Sequence, residues 1–351
     1  MQAATQKLRI AVFGAGLAFA PHRDSLRDLA DRVDVVWLVG SGIDRVQQAA
    51  AHFPGARATT AVEDVLADAS VQAALVLTPP ATHFDIVTRL AARGIHVLLE
   101  KPLALDTPHA QALVDDCERH RIVLAVVLQH RLRPAALRLK ELLAADALGT
   151  LTRAAVDVRW WRPQSYYDMP GRGTQARDGG GVLMTQAIHT LDLFLHLAGP
   201  VHEVAALAAT SAAHRMECED VVAAVVRLGN GAVASLHATT AAFPGFAERI
   251  ELSGTRGTAR LTGGELVVHG CDGTVQRWGE EASLGAGADP MAFDHAAHRA
   301  VLTDFVNAVR HGALPSASGR SALAVQRLID ALLASSAARR FVSLPSTQAT
   351  P

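Results

Sequence analysis

Five short apolar runs alternate with amphipathic stretches through the first 128 residues, and this alternation restricts the fold more than any other feature. Leu8–Phe13, Asp34–Val39, Ala73–Thr78, Ile95–Glu100 and Ile122–Leu128 read as strands. Between them, Asp44–His52, Thr82–Arg93 and Thr107–His120 show helical spacing, as does the stretch after Gly16 to about Leu29. Helix starts are signalled by Thr60 with Glu63 as a capping box, and by Thr107 followed by Pro108 as the first helical residue. Apolar strands joined by amphipathic helices imply a doubly wound parallel sheet covered on both faces. In such a sheet a ligand sits beyond the carboxyl ends of the strands. Those ends carry Gly14-Ala15-Gly16, Gly40-Ser41, Thr78-Pro79-Pro80, Glu100-Lys101-Pro102 and Gln129-His130-Arg131.

The first of these, a strand running through Gly14 and Gly16 into a helix, has the form of a dinucleotide-binding turn. There the helix N-terminus faces a pyrophosphate. Gly14, Gly16 and Leu17 are the expected contacts. Phe19 stands where a third glycine is usual, so helix and strand must pack differently there. The end of the second strand normally selects the cofactor: an acid takes the ribose hydroxyl of NAD, a small polar residue with arginine the 2′-phosphate of NADP. Ser41 and Arg45 occupy that end, with Asp44 between them as a helix cap or a ribose ligand, so the chemistry leans to NADP over NAD. Thr78, Pro79, His83, Glu100, Lys101 and Gln129 are the remaining candidates to line the cofactor. For His83 a structural role, capping its own helix, is favoured over lining the cofactor edge.

A second focus is Asp178–His196. Gly179–Gly181 permit positive φ or close approach of backbone to a ligand. Val182–Ala198 reads as one buried helix carrying a polar stripe of Thr185, His189, Asp192 and His196. From Val201 to about Trp278 the pattern turns to strands: Val201–Ala209, Asp220–Leu228, Ala232–Thr240 and Glu248–Ser253, with Gly229-Asn230-Gly231 as a hairpin turn. These imply a mostly antiparallel sheet, and Ala223, Ala224 and Ala234 suit a face that packs on a second subunit. Asp289–His311, opened by Asp289 and Pro290, and Ser318–Ala334 read as closing helices. The chain thus divides into residues 1–130 and 131–351, with the C-terminal helices able to pack back on the first domain.

Bulk properties narrow the function. A net charge of −1 argues against nucleic acid, and no apolar run has membrane-spanning length. The three cysteines are scattered, which suits reduced thiols in the cytoplasm better than disulfides or a metal site. The spacing His189-x-x-Asp192-x-x-x-His196 mimics metal ligands but lacks a completing set, so no metal is expected.

Taken together, Thr78-Pro79-Pro80-Ala81-Thr82-His83, Glu100-Lys101-Pro102 and Asp178–Gly181 with His189 and Asp192 resemble the Gfo/Idh/MocA oxidoreductases over nearly the whole chain. The resemblance implies a Rossmann domain, then an α/β domain whose large, open, mostly antiparallel sheet supports a homodimer or homotetramer. It implies NAD(P)-dependent oxidation or reduction of sugars, inositols and related polyols. It matches Lys101 to the family's active-site lysine, with the Lys101–Pro102 bond often cis, and His189 to the proton-transfer histidine. The family commonly has Asp at position 185, where this chain has Thr185. A histidine without that acid is expected to be less basic. The segment Trp160–Gly181 looks most like the branch acting on sugars or sugar acids, including nucleotide-sugar 3-dehydrogenases.

Such chemistry needs a base to take a hydroxyl proton while hydride leaves carbon, and fixed positive charge near the oxygen. His189 and Lys101 are suited to those two tasks. Thr185, Tyr167, Arg172, Trp161 and Asp192 are the candidate substrate contacts, although Asp192 could instead hold an arginine structurally. Arg131, Arg133, Arg159, Arg162, Arg172 and Arg177, interleaved with Trp160, Trp161, Tyr166 and Tyr167, suit an anionic sugar. The alternatives are an inositol or cyclic dihydrodiol dehydrogenase, and a cofactor-binding sensor without turnover.

Overall fold

The alternating runs of the N-terminal half form one six-stranded parallel sheet. The structure is a computed structural model, and it describes residues 6–16, 18–280 and 295–345. The elements of this half are β1 (Leu8–Phe13), α1 (Phe19–Asp28), β2 (Val33–Val39), α2 (Ile43–Ala50), β3 (Arg57–Thr59), α3 (Val62–Ala67), β4 (Ala73–Val76), α4 (His83–Ala91), β5 (His96–Leu99), α5 (Thr107–Arg119) and β6 (Leu124–Val126). The strand order β3-β2-β1-β4-β5-β6 reverses direction of growth beside β1, the switch point at which dinucleotides bind in such sheets. Ile10, Val12, Leu38, Leu75, Val97 and Leu98 are fully buried in it, as continuous apolar strands covered on both faces require.

Two start signals shift. Asp106 caps α5, its carboxylate accepting from the His109 amide at 2.8 Å, so Thr107 opens the helix rather than capping it. The Thr60–Glu63 box does not form: α3 begins at Val62 with Ala61 as an uncapped N-cap, while the Thr59 hydroxyl accepts from Ala61 N. β3 carries no pattern of its own, because three residues are too few to show a period.

The chain then forms α6 (Pro134–Ala144), β7 (Leu151–Arg159), α7 (Gln164–Tyr167), α8 (Gln175–Asp178), a π-helical turn (Leu183–Ala187), α9 (Ile188–Ala198) and the strands β8 (Val201–Ala209), β9 (Val221–Leu228), β10 (Val233–Thr239), β11 (Arg249–Gly254), β12 (Gly257–Thr262), β13 (Glu265–Gly270) and β14 (Val275–Trp278). It closes with α10 (Ala296–His311), α11 (Gly319–Ala338) and β15 (Val342–Ser343). Asp289 and Pro290, the expected start of α10, lie outside the described residues. Among the described residues the second sheet has nine strands in the order β14-β13-β12-β11-β7-β10-β9-β8-β15, and of these only β7 and β10 pair in parallel. Gly231, at φ +88°, makes the β9–β10 hairpin that its Gly-Asn-Gly sequence predicts.

One face of this sheet, with Val156, Leu236, Val226, Ile250 and Leu252, is buried, and α9 packs on β7 and β11. The three alanines expected on the other face divide between the two. Ala223 pairs with His237 on the open side, whereas Ala224 pairs with Leu236 and Ala234 is buried. A one-residue step along a strand reverses the face. The open side carries Leu207, 72% exposed, with Val225 and Val233. By internal contacts the chain forms two units, Met1–Gln129 with Phe293–Leu323, and His130–Ala292 with Ala324–Pro351.

Candidate active site

In the first unit the strand ends supply a cofactor cradle. Gly14 has φ +100°, and a Cβ there would stand 2.9 Å from the Leu77 carbonyl carbon and oxygen, so only glycine lets β1 turn this close to β4. Phe19 opens α1 and is buried edge-on against Phe53, ring centroids 6.4 Å apart, which is how the helix packs without the third glycine. Ser41 and Arg45 are exposed at the start of α2. The Thr78 hydroxyl accepts from Thr82, and Pro79 precedes the turn into α4. The Gln129 amide oxygen is buried without a hydrogen-bond partner. An open glycine turn and an orphaned buried acceptor at the strand ends fit a bound nicotinamide dinucleotide. Leu17 lies outside the described residues.

Lys101 follows β5 on a cis Lys101–Pro102 bond. Glu100 braces it: Oε2 accepts from the Lys101 amide at 3.1 Å and Oε1 from His22 Nε2 at 2.9 Å. Burial works against ionisation of Glu100. The His22 hydrogen bond and the Lys101 charge outweigh it and hold the carboxyl at about 2. His22 is fully buried on α1, and His298 of α10 stands edge-on to it at 5.0 Å. His83 sits with its two ring nitrogens 2.8 Å from the Thr78 carbonyl and 3.0 Å from that of Pro102, and burial lowers its pKa. It braces β4 against the lysine turn, and neither nitrogen is left for a nucleotide. This corrects its place among the cofactor ligands.

In the second unit, Glu219 organises the entrance to α9. Its carboxylate accepts from the Gly181 and Leu183 amides at 3.1 Å each, and its carbonyl from Val182 at 2.8 Å, so the helix's orphan donors are satisfied. A Cβ on Gly181 would run into the Glu219 carbonyl, and Gly179 takes the left-handed conformation at the end of α8. The expected single helix is broken by the π turn at Leu183–Ala187, a form common at functional sites. Within it the Thr185 hydroxyl donates to the Gly181 carbonyl at 2.6 Å. One turn on, His189 is buried against the ring of His130, centroids 5.2 Å apart.

Asp192 is fully buried and gripped by Arg131, Nε to Oδ2 at 2.7 Å and Nη2 to Oδ1 at 2.5 Å. Burial pushes its pKa up and the guanidinium opposes this. Asp192 therefore holds an arginine and is no substrate contact. His196, at the end of the stripe, is pushed down to about 4 by burial and by Arg131 and Lys140.

The six expected arginines mostly face the protein's own carboxylates. Arg133 pairs with Glu248, Arg159 lies 3.7 Å from Asp157, and Arg172 and Arg177 lie 3.5 and 3.8 Å from Asp178. The Tyr167 hydroxyl bonds Thr240 at 2.7 Å, and burial pushes its pKa up to about 12. A buried phenol so committed is a strut. The guanidinium groups of Arg172 and Arg162 lie over the ring of Tyr166, at 5.1 and 5.5 Å. Trp161 stands between exposed Phe243 (5.6 Å) and His214 (6.1 Å), and His214 is held by Asp220 at 2.6 Å.

Residues 8–128 match the description "Oxidoreductase family, NAD-binding Rossmann fold", and residues 136–260 the "GFO/IDH/MocA C-terminal domain". The chain is also similar to the WlbA dehydrogenase of Bordetella pertussis, solved with NADH and UDP-GlcNAcA. Identity is 30%, with 97% of this chain and 99% of that one covered at a TM-score of 0.83. The chain belongs to the Gfo/Idh/MocA oxidoreductase family. Its counterpart from Chromobacterium violaceum, with the same ligands, is 29% identical over 98% of both chains at a TM-score of 0.81. D-apiose dehydrogenase of Paraburkholderia graminis is 27% identical, covering 98% of this chain and 92% of its own. As in other Gfo/Idh/MocA proteins, the N-terminal part is an NAD-binding Rossmann fold.

Sequence pattern gives no sign of what His22, Glu219 and Glu248 do, and shows His130 only as part of the strand end Gln129-His130-Arg131. His22 shares a helix face with buried residues but looks like any polar residue beside Arg23 and Asp24. Glu219 precedes a strand by two residues and shows its task only when the chain returns to Gly181.

Proposed function

We propose that this protein oxidises a secondary alcohol of a sugar acid or nucleotide-linked sugar acid, or reduces the corresponding ketone. One observation carries the substrate class: the guanidinium groups of Arg162 and Arg172 lie over Tyr166, in a chain similar along its whole length to dehydrogenases solved with NADH and a UDP-linked sugar acid. Bound NAD(H) supplies the acceptor or donor of hydride. Gly14, Gly16 and Gln129 would hold it. His189 takes the hydroxyl proton as the carbon gives up hydride, and returns it in reduction. The Lys101 ammonium stabilises negative charge developing on the oxygen. Thr185 and Trp161 contribute to substrate binding.

Three finer readings go with this. Ser41 and Arg45 would accept the 2′-phosphate, so NADP(H) is used alongside NAD(H), and Arg45→Ala should lower kcat/KM for NADP more than for NAD. The open sheet face with Leu207, Val225 and Val233 buries itself against a second copy in a homodimer or homotetramer, as sedimentation would report. Three free thiols suit the cytoplasm.

The test is NAD(P)H formation by purified protein against neutral sugars, polyols, sugar acids and UDP-linked sugar acids. Arg172→Ala should raise KM for acidic sugars about tenfold, the loss expected of one charge-assisted hydrogen bond. Unchanged KM and kcat would remove the anionic substrate.

A further inference from the structure

The helix that carries His189 is entered through three glycines and a π turn, and Val182, just before that turn, provides no side-chain cap. Glycine gives up the most backbone freedom on folding, and the π form is rare, so an entrance of this kind needs a tie from elsewhere in the chain.

Glu219, 36 residues beyond Leu183, is that tie. Its two carboxylate oxygens accept separately, Oε2 from the Gly181 amide and Oε1 from that of Leu183, and its backbone carbonyl accepts from Val182 between them. One residue thus holds three successive amides. Burial pushes the Glu219 pKa up, and the Leu183 and Gly181 amides oppose this. Burying a carboxylate is costly, so an apolar side chain would serve better if the position only filled space.

The tie reaches the chemistry through Gly181. Glu219 holds its amide, while its carbonyl accepts from the Thr185 amide at 3.0 Å and from the Thr185 hydroxyl at 2.6 Å. His189 follows one turn later, at the start of α9. Moving the π turn by one residue would rotate the side chains by about 100° around the helix axis, the angle that separates successive residues. Arg131 grips α9 further along through Asp192, so loss of the tie should loosen the entrance and leave the helix folded.

We propose that Glu219 is a positioning residue for the active site: by holding the Gly181, Val182 and Leu183 amides it fixes where the π turn begins, and with it the direction in which Thr185 and His189 face. This rests on the reading of His189 as the base and Thr185 as a substrate contact. Nothing is transferred to or from Glu219.

The test uses the full-length protein with methyl-labelled threonine, and Thr185→Ser identifies the Thr185 signal. Glu219→Ala removes both acceptors, and Glu219→Gln keeps the shape and one of them. The alanine variant should move or split the Thr185 methyl signal, while that of Thr59 in the first unit keeps its place. The glutamine variant should show a smaller change of the same kind. Hydrogen exchange of the 181–183 amides should quicken at least about tenfold in the alanine variant, as loss of bonds to a charged acceptor predicts. A Thr185 signal in its wild-type place in both variants would overturn the proposal, as would threonine signals displaced alike in both units.

With UDP-GlcNAcA and NAD as probes, Glu219→Ala should lower kcat about 10–100-fold, the loss expected of misplaced catalytic groups, with NADH affinity within about threefold; Glu219→Gln should recover part of it. A lower melting temperature with unchanged kcat would mark a merely structural role and contradict the proposal. Turnover insensitive to His189→Ala would sink the base reading itself, while the threonine spectra would still decide whether Glu219 sets the entrance.

Discussion

Arg131 clasps Asp192 through two hydrogen bonds in a place where both side chains are buried, one fully. Within the second unit the pair joins the turn that holds Arg131 to the helix that carries His189. Breaking it leaves one charge buried and unpaired. Arg131→Ala should therefore destabilise the protein by about 3–5 kcal/mol in urea denaturation. The double variant Arg131→Met with Asp192→Leu should recover most of that loss, because well-packed apolar groups can replace a buried ion pair. If Arg131→Ala cost no more than a surface substitution, the pair would be peripheral.

His22, fully buried, and Glu100, half-buried, make a second pair, and its sign can be worked out. The Glu100 carboxyl titrates at about 2 in the folded chain against an ordinary value of 4.5. Its contribution is thus fully present above about 4.5 and is lost as pH falls towards 2. Removing the donor in His22→Leu should raise the folded pKa, so that the acid unfolding transition moves to higher pH. An acid transition at the same pH in both proteins would show that His22 is not what holds the charge.

His196 behaves in the opposite chemical sense, as a base kept neutral. Its folded value of about 4 lies below the ordinary 6.5 because of burial, Arg131 and Lys140. Stability is therefore unaffected above 6.5 and declines as pH falls from 6.5 through 4, when the unfolded chain binds a proton that the folded chain refuses. His196→Gln should flatten the melting temperature across that window. A slope identical to the wild type would assign the acid sensitivity elsewhere.

Gly14→Ala tests the cofactor cradle. The new Cβ would press on the Leu77 backbone in a conformation that favours glycine. Fluorescence titration should show NADH affinity at least about tenfold weaker, equivalent to about 1.4 kcal/mol. Retained affinity would place the pyrophosphate away from this turn.

These residues also show how far sequence reaches. The first sheet is legible because its strands are covered on both faces, so each is a continuous apolar run with glycine or proline at its end. The second sheet is legible where hairpins mark it, as at Gly229–Gly231, but β7 at its centre escapes notice. Leu151–Arg159 mixes Thr152, Arg153, Asp157 and Arg159 with buried Ala154, Val156 and Val158, and it gains its place only from neighbours distant in sequence. Lys101 and His189 are found through motifs. What supports them is not, because His22, His130 and Glu219 approach through tertiary contacts that leave no local spacing. The polar stripe from Thr185 to His196 illustrates the limit: three of its residues lie on α9 and Thr185 in the π turn before it, and the partners of Thr185 and Asp192 decide what they do.

The central claim is that His189 takes the proton while Lys101 supplies the charge in a hydride-transfer reaction. Its most direct test is NADH formation in a single turnover, with wild type, His189→Ala and Lys101→Ala each preloaded with NAD and mixed with UDP-GlcNAcA and a panel of sugar acids. The wild type should form NADH on at least one of them. Each variant should bind NAD normally and react at least about a hundredfold more slowly, as loss of a general base or an electrostatic stabiliser predicts. Tight binding of nucleotide without turnover by the wild type, or undiminished rates in His189→Ala, would contradict it.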